Sequence, residues 1–164
     1  VPQLPRGCRG ATVSDSDFGL ALDDPRRNAV RYAAAADLVP LSALARADGL
    51  CVLPVDLRGC ADKHTLLLRL SVQLDFPPGY GRNWDALADA LRDLGWRPSG
   101  TGYALLLDGA GALRTAAPDD FATLLDILVD TAAWWSGQGM PFNAFVALPV
   151  DMLDALADAA DGEG

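Results

Sequence analysis

Gly79-Tyr80-Gly81-Arg82-Asn83-Trp84-Asp85-Ala86-Leu87-Ala88-Asp89-Ala90-Leu91 reads as a glycine-flanked loop running into a helix. Asn83 suits the N-cap, because its side-chain oxygen can accept a hydrogen bond from a backbone N–H of the first turn. Asp85 then falls in that turn, where the helix dipole favours an anion. Leu87, Leu91 and Leu94 form an apolar stripe at helical spacing. Asp85 and Asp89 stand four residues apart, so they share one face and present one patch of negative charge. No basic residue is expected beside them on that face. An unneutralised acidic pair next to Tyr80 suits a cationic partner. The bland alternatives are dipole capping by Asp85, a solvated face at Asp89 and a packing role for Tyr80.

Working outward, Leu50 to Leu57 is an apolar run after Gly49 and suits a strand, with Pro54 marking an edge or a bulge. Asp62 sits where a cap belongs, and Leu66, Leu67, Leu70 and Leu74 lie on one helical stripe. Pro77-Pro78-Gly79 stops that helix. Tyr103 to Leu107 reads as a second strand, followed by a loop over Asp108 to Ala112. A helix opens at Pro118-Asp119-Asp120 and runs to about Trp135, with Phe121, Leu124, Leu125, Leu128 and Val129 as its buried stripe. Of Trp134 and Trp135, one is expected in the core and its neighbour partly exposed. Asn143 to Leu148 is a third strand, and Asp151 to Ala160 an amphipathic terminal piece. Residues 1–50 are less regular: Ser14 to Asp17 reads as a turn, Phe18 to Leu22 as a short strand and Asn28 to Asp37 as a helix. A further helix carries Pro40 in its first turn and stops near Gly49.

Strands alternating with helices imply right-handed crossovers and a parallel sheet. The near-continuous apolar character of the three strands fits a sheet covered on both faces. No Gly-x-Gly-x-x-Gly or Walker-type loop follows any of them, so the alternation does not mean nucleotide binding.

The 164 residues fit one domain with an appendage, and a hydrophobic content of 51% is enough for a sizeable core. No run approaches the roughly 18 apolar residues of a membrane span, and residues 1–6 lack the apolar centre of an export signal. A cytoplasmic chain without a membrane partner is expected. Cys8, Cys51 and Cys60 have no metal-like spacing and read as buried reduced thiols, with one disulfide and a spare thiol as the alternative. His64 is the single histidine, so neither a metal cluster nor a Ser-His-Asp triad has material. Residues 1–50 and 51–100 each balance their charges, and residues 101–164 carry the whole net charge of −9. Such an acidic third disfavours nucleic acid as a partner and favours a basic protein. A glycosidase acid/base pair would flank a cleft from separate elements, about 5–10 Å apart. Two carboxylates on one helix face do not.

Tyr80-Gly81-x-Asn83-x-Asp85-Ala86-Leu87-x-Asp89-x-Leu91 resembles the barstar family, intracellular inhibitors of secreted ribonucleases such as barnase. Upstream, residues 63–83 align without a gap to the family's first helix and inhibitory loop. Downstream, Leu91-Arg92-Asp93-Leu94-Gly95-Trp96 resembles its Leu-x-Gly-Trp segment with two residues inserted. The resemblance covers residues 50–149, leaving 1–49 as an N-terminal extension and 150–164 as a terminal helix and tail.

The resemblance implies a compact α/β fold with a three-stranded parallel sheet flanked by helices. It implies no catalysis and no cofactor. It implies a 1:1 complex in which the acidic helix and the loop before it plug the basic active site of a ribonuclease or a nuclease-like toxin. Asp89 matches the carboxylate that takes the place of substrate phosphate, and Asp85 the one that pairs with a guanidinium. Tyr80 and Gly81 match the approach loop, Asn83 the helix-starting asparagine and Trp96 the tryptophan after the helix. Asp130 is the preferred match, ahead of Asp126, for a glutamate on the last long helix. Gly79 and Ala88 stand where the family carries aromatics, and Trp84 where it is aliphatic. The charge pattern is kept while the apolar anchors have moved. A second expectation is an adaptor or assembly module on the same scaffold, with residues 1–49 making the main contact.

Overall fold

In the computed structural model, which describes residues 21–97 and 101–163, the apolar runs become strands. They are Cys51–Asp56 (β2), Tyr103–Asp108 (β3) and Phe142–Ala147 (β4), and Ala29–Ala33 adds β1. The sheet has four parallel strands in the order β1-β4-β3-β2, one more than expected. Ala29 lies beside Asn143, Tyr103 beside Phe142 and Cys51 beside Tyr103.

The extra strand replaces the helix expected over Asn28 to Asp37. Only Ala35–Asp37 curls, into a short 3-10 turn. The alanines of this stretch suit a helix, but the open edge of β4 gives Ala29–Ala33 backbone partners, and tertiary pairing overrides local preference. Asn28 fixes the start of β1. Its Nδ2 donates to the carbonyls of Ala132 (3.2 Å) and Met140 (3.0 Å), and its Oδ1 accepts from the N–H of Phe142 (2.8 Å). Replacing Asn28 by Ala leaves the N–H of buried Phe142 without that acceptor. The expected cost is about 1–3 kcal/mol, read as a lower denaturant midpoint with an unchanged slope. Of the expected strand over Phe18 to Leu22, only the end falls within the described residues, where Leu22 is buried in a turn. The turn expected at Ser14 to Asp17 lies outside them.

Helices Leu38–Ala47 (α1), Lys63–Gln73 (α2), Trp84–Asp93 (α3), Gly111–Ala116 (α4), Pro118–Gly137 (α5) and Val150–Glu163 (α6) complete the chain. On one face, Leu66 and Leu70 of α2, Leu87 and Leu91 of α3 and Leu124 and Leu128 of α5 meet Leu53, Leu105, Leu107, Ala144 and Val146. On the other, Leu38, Leu41, Leu44 and Ala45 of α1 cover Ala104, Leu106, Phe145 and Ala147. Alternate residues of β3 and β4 therefore point into different cores, as strands buried on both faces require. β1 and β2 lie at opposite edges, and α1 carries the chain between them across the second face.

Pro54 is on an edge strand, as its missing N–H demands. Beyond it, the backbone of Asp56 is occupied by side chains of α2. Its N–H donates to Gln73 Oε1 (2.7 Å), and its carbonyl accepts from Gln73 Nε2 (3.1 Å) and Arg69 Nη1 (2.9 Å). The Gln73 amide thus stands in for a neighbouring strand and blunts the edge.

The buried stripe of α5 differs from the expected one. Phe121, Leu124, Leu128, Thr131, Ala132 and Trp135 are buried, Leu125 is partly buried and Val129 is exposed. The helix rests on the sheet through a straight i, i+4, i+7 line that leaves Val129 to one side. Trp135 is the core member of the tryptophan pair and Trp134 the exposed one. Helix α4 begins inside the stretch expected as a loop. Cys60 is buried, Cys51 partly so, and both are free thiols; Cys8 lies outside the described residues. Burial pushes the Cys60 thiol up from its ordinary value. Among the described residues, no helix is long and apolar enough to cross a membrane.

Candidate acidic binding surface

The loop between α2 and α3 builds the surface. Asp75 ends the α2 segment in the left-handed region (φ 60°), two prolines follow, and Gly79 takes φ 108° in open space. Asn83 is extended and caps α3, its Oδ1 accepting from the N–H of Ala86 at 2.7 Å. Leu87, Ala90 and Leu91 face the core, which turns Asp85 and Asp89 to solvent. Among the described residues, neither carboxylate has a hydrogen bond or an ion pair; the ion pairs formed are Arg26–Asp24 and Arg58–Asp56.

The expectation of no basic neighbour needs correcting. Arg92 is three residues after Asp89 and so shares its side of the helix. It is partly buried, and it forms no ion pair with either aspartate. Lys63 approaches from the start of α2, its Nζ lying 5.4 Å from the ring centroid of Trp84. That ring is partly buried between the two helix starts.

Tyr80 is partly buried in an aromatic triangle. Its ring centroid lies 5.9 Å from Phe76 and 5.8 Å from Trp96, and those two are 5.7 Å apart. The Trp96 indole N–H donates to the Leu74 carbonyl at the end of α2 (3.0 Å). The Tyr80 hydroxyl donates to Asp93 Oδ2 at 2.9 Å. Asp93 is therefore a third acidic residue on the line of Asp85 and Asp89. Its spacing of four from Asp89 was the signal for it in the sequence.

Burial, with the hydrogen bond to Asp93 and the charges of Asp93 and Asp89 after it, raises the Tyr80 hydroxyl above its ordinary value of 10.0. A raised tyrosine favours folding while it is protonated, so its contribution is complete below that ordinary value. It is lost as pH climbs through the raised one. A titration of tyrosinate absorbance is expected to lose part of its late-titrating component in Tyr80→Phe.

Gly81 is exposed beside the cap, and Ala88 is a small, partly buried residue between the two carboxylates. Asp130 and Asp126 are exposed on α5. That helix is tied to α3 by the Trp135 indole, which donates to the Leu91 carbonyl at 2.9 Å. Tyr80 thus joins the end of α3 through Asp93 and Trp96 through its ring, whereas Asp130 belongs to the adjoining helix.

These features define an α/β protein with an uncovered acidic loop and helix beside a parallel sheet. A family model described as Barstar (barnase inhibitor) matches residues 50–147, more than half of the sequence, and the chain belongs to the barstar family. Proteins of this family are non-enzymatic inhibitors. The match begins at the end of the α1–β2 turn, so β1 and α1 precede it. None of the curated proteins matches the chain. Four chains of solved structures do. One is the Aeropyrum pernix ORC2 protein, solved as ADPNP-ADP complexes, at 17% identity and a TM-score of 0.50. The alignment covers 80% of this chain and spans 37% of that one. At that identity the likeness is one of fold alone.

Proposed function

We propose that this chain is an immunity-type inhibitor that occludes the basic active site of a ribonuclease or a related nuclease-like toxin in a 1:1 complex, acting in the cytoplasm. The observation that carries the reading is the pair of exposed carboxylates, Asp85 and Asp89, without a hydrogen bond or ion pair among the described residues, on a capped helix seated on the core. A ribonuclease site gathers Arg and Lys to hold phosphate, and a carboxylate can occupy such a site with charge-assisted hydrogen bonds. Asp89 takes the phosphate position and Asp85 meets a guanidinium. Tyr80, Gly81 and Asn83 carry the approach loop, Trp84 and Ala88 line the carboxylates, Trp96 supports the aromatic flank and Asp130 adds charge from α5. Family membership supports the inhibitory mode, and the changes at Gly79, Trp84 and Ala88 set this surface apart in its choice of enzyme.

The test is a titration of the chain into barnase and a panel of other basic secreted ribonucleases, scored by RNA cleavage. Stoichiometric inhibition of at least one is expected, weakening as salt screens the exposed charges over a Debye length of about 8 Å at physiological ionic strength. Inhibition of none, or inhibition indifferent to salt, overturns the reading.

A further inference from the structure

The three aspartates of α3 stand at equal spacing, yet their surroundings differ. Asp85 and Asp89 have no hydrogen bond or ion pair among the described residues. Asp93 is engaged through both oxygens: Oδ2 accepts from the Tyr80 hydroxyl (2.9 Å) and Oδ1 from the N–H of Gly95 (3.1 Å). Gly95 suits this arrangement, because a side chain there would come within 2.9 Å of Asp93 Oδ1. Between them, Leu94 turns into the left-handed region (φ 51°) and closes the helix. The partner of this carboxylate is thirteen residues away, on the loop that the prolines and Gly79 leave without regular structure.

We infer that Asp93 is a positioning residue: it fastens the Tyr80 loop to the end of the acidic helix, so that the loop is ordered before any partner arrives and, of the three aspartates, Asp85 and Asp89 are the ones that meet that partner. The role presupposes the inhibitory reading above. A loop held in its bound arrangement avoids the ordering cost that association otherwise carries. The phenol supplies the latch and the Phe76–Trp96 rings the seat, so removing the hydroxyl alone releases the latch while keeping the seat.

The experiment compares Tyr80→Phe, Asp93→Asn and the double variant with the unaltered chain, using whichever ribonuclease of the panel is inhibited most strongly. Rates of association and dissociation are measured separately. Dissociation is expected to quicken about threefold to tenfold in each single variant, the size of one hydrogen bond's net contribution. The double variant is expected to be no worse than Tyr80→Phe alone, because Asp93→Asn breaks the same link that the lost hydroxyl made. Additive losses, or a slower and less salt-sensitive association in Asp93→Asn alone, would place Asp93 in contact with the partner and overturn the inference.

Asp85→Ala/Asp89→Ala in the same assay separates the two levels. Its failure to weaken binding sinks the inhibitory reading, whereas a strong effect there with none at Asp93 sinks only the positioning role. A second measurement needs no partner. Amide exchange over residues 79–83 of the free chain is expected to accelerate in both single variants, and unchanged exchange overturns the latch.

Discussion

Asp85→Ala/Asp89→Ala is expected to fold as the unaltered chain does and to lose most of its inhibition. Both side chains are exposed and without a hydrogen bond or ion pair among the described residues, so their removal breaks no such link there. Relief of their mutual repulsion offsets the small loss of a first-turn anion. The change in stability should stay within about 0.5 kcal/mol. In a complex that desolvates them, each truncation leaves a buried cation of the partner unpaired, at about 2–5 kcal/mol. That magnitude comes in part from barstar with barnase itself and is borrowed for this relative. At about 1.4 kcal/mol per tenfold, the pair together amounts to a loss of several orders of magnitude. Inhibition constants at low and raised salt, with denaturant unfolding as the control, check both halves. Asp85→Asn/Asp89→Asn, which keeps the shape, should fall nearly as far and should flatten the salt dependence.

Truncation to residues 50–164, the matched span with its tail, is expected to abolish cooperative folding. It would strip β1 from β4 and uncover the second face of the sheet. Leu38, Leu41 and Leu44 are buried against Leu106 and Phe145. Burying a leucine contributes about 1.5–3 kcal/mol, so α1 alone supplies much of the roughly 5–15 kcal/mol that holds a domain folded. Self-association through the bared face and edge is the expected outcome, seen as a broad, non-cooperative unfolding curve and large species on a sizing column. A truncated chain that melts sharply at the original midpoint would show that β1 and α1 only decorate the fold. For the same reason, removing residues 1–49 does not isolate a docking role for that segment, because it breaks the sheet as well.

The loop and helix at 79–93 were legible because their signals are local. A cap, a dipole-compatible aspartate, an i, i+4 pair and an apolar stripe all act within a few residues, and Asn83, Asp85, Asp89 and Leu87 stand as that logic requires. The three apolar strands were equally open to reading, as was the edge position of Pro54. β1 was not, because Ala29–Ala33 is a strand only by virtue of a neighbour far along the chain. Trp96 shows the same limit: the resemblance marks it as the tryptophan after the helix, while the commitment of its N–H to Leu74 depends on how α2 and the chain after α3 pack. The use of Asp93 required knowing that the loop folds back beside the helix end.

The pairing of β1 with β4 also bears on how the molecule is made. Ala29 leaves the ribosome long before Asn143, its neighbour in the sheet. The leucines of α1 emerge early too, before Phe145 and Ala147 exist to cover them. This segment therefore waits, with its apolar residues exposed, until β4 has been synthesised. Contacts of such long sequence separation slow folding, and nascent chains in that state are prone to aggregate. The step that closes this sheet is the return of β1 to β4.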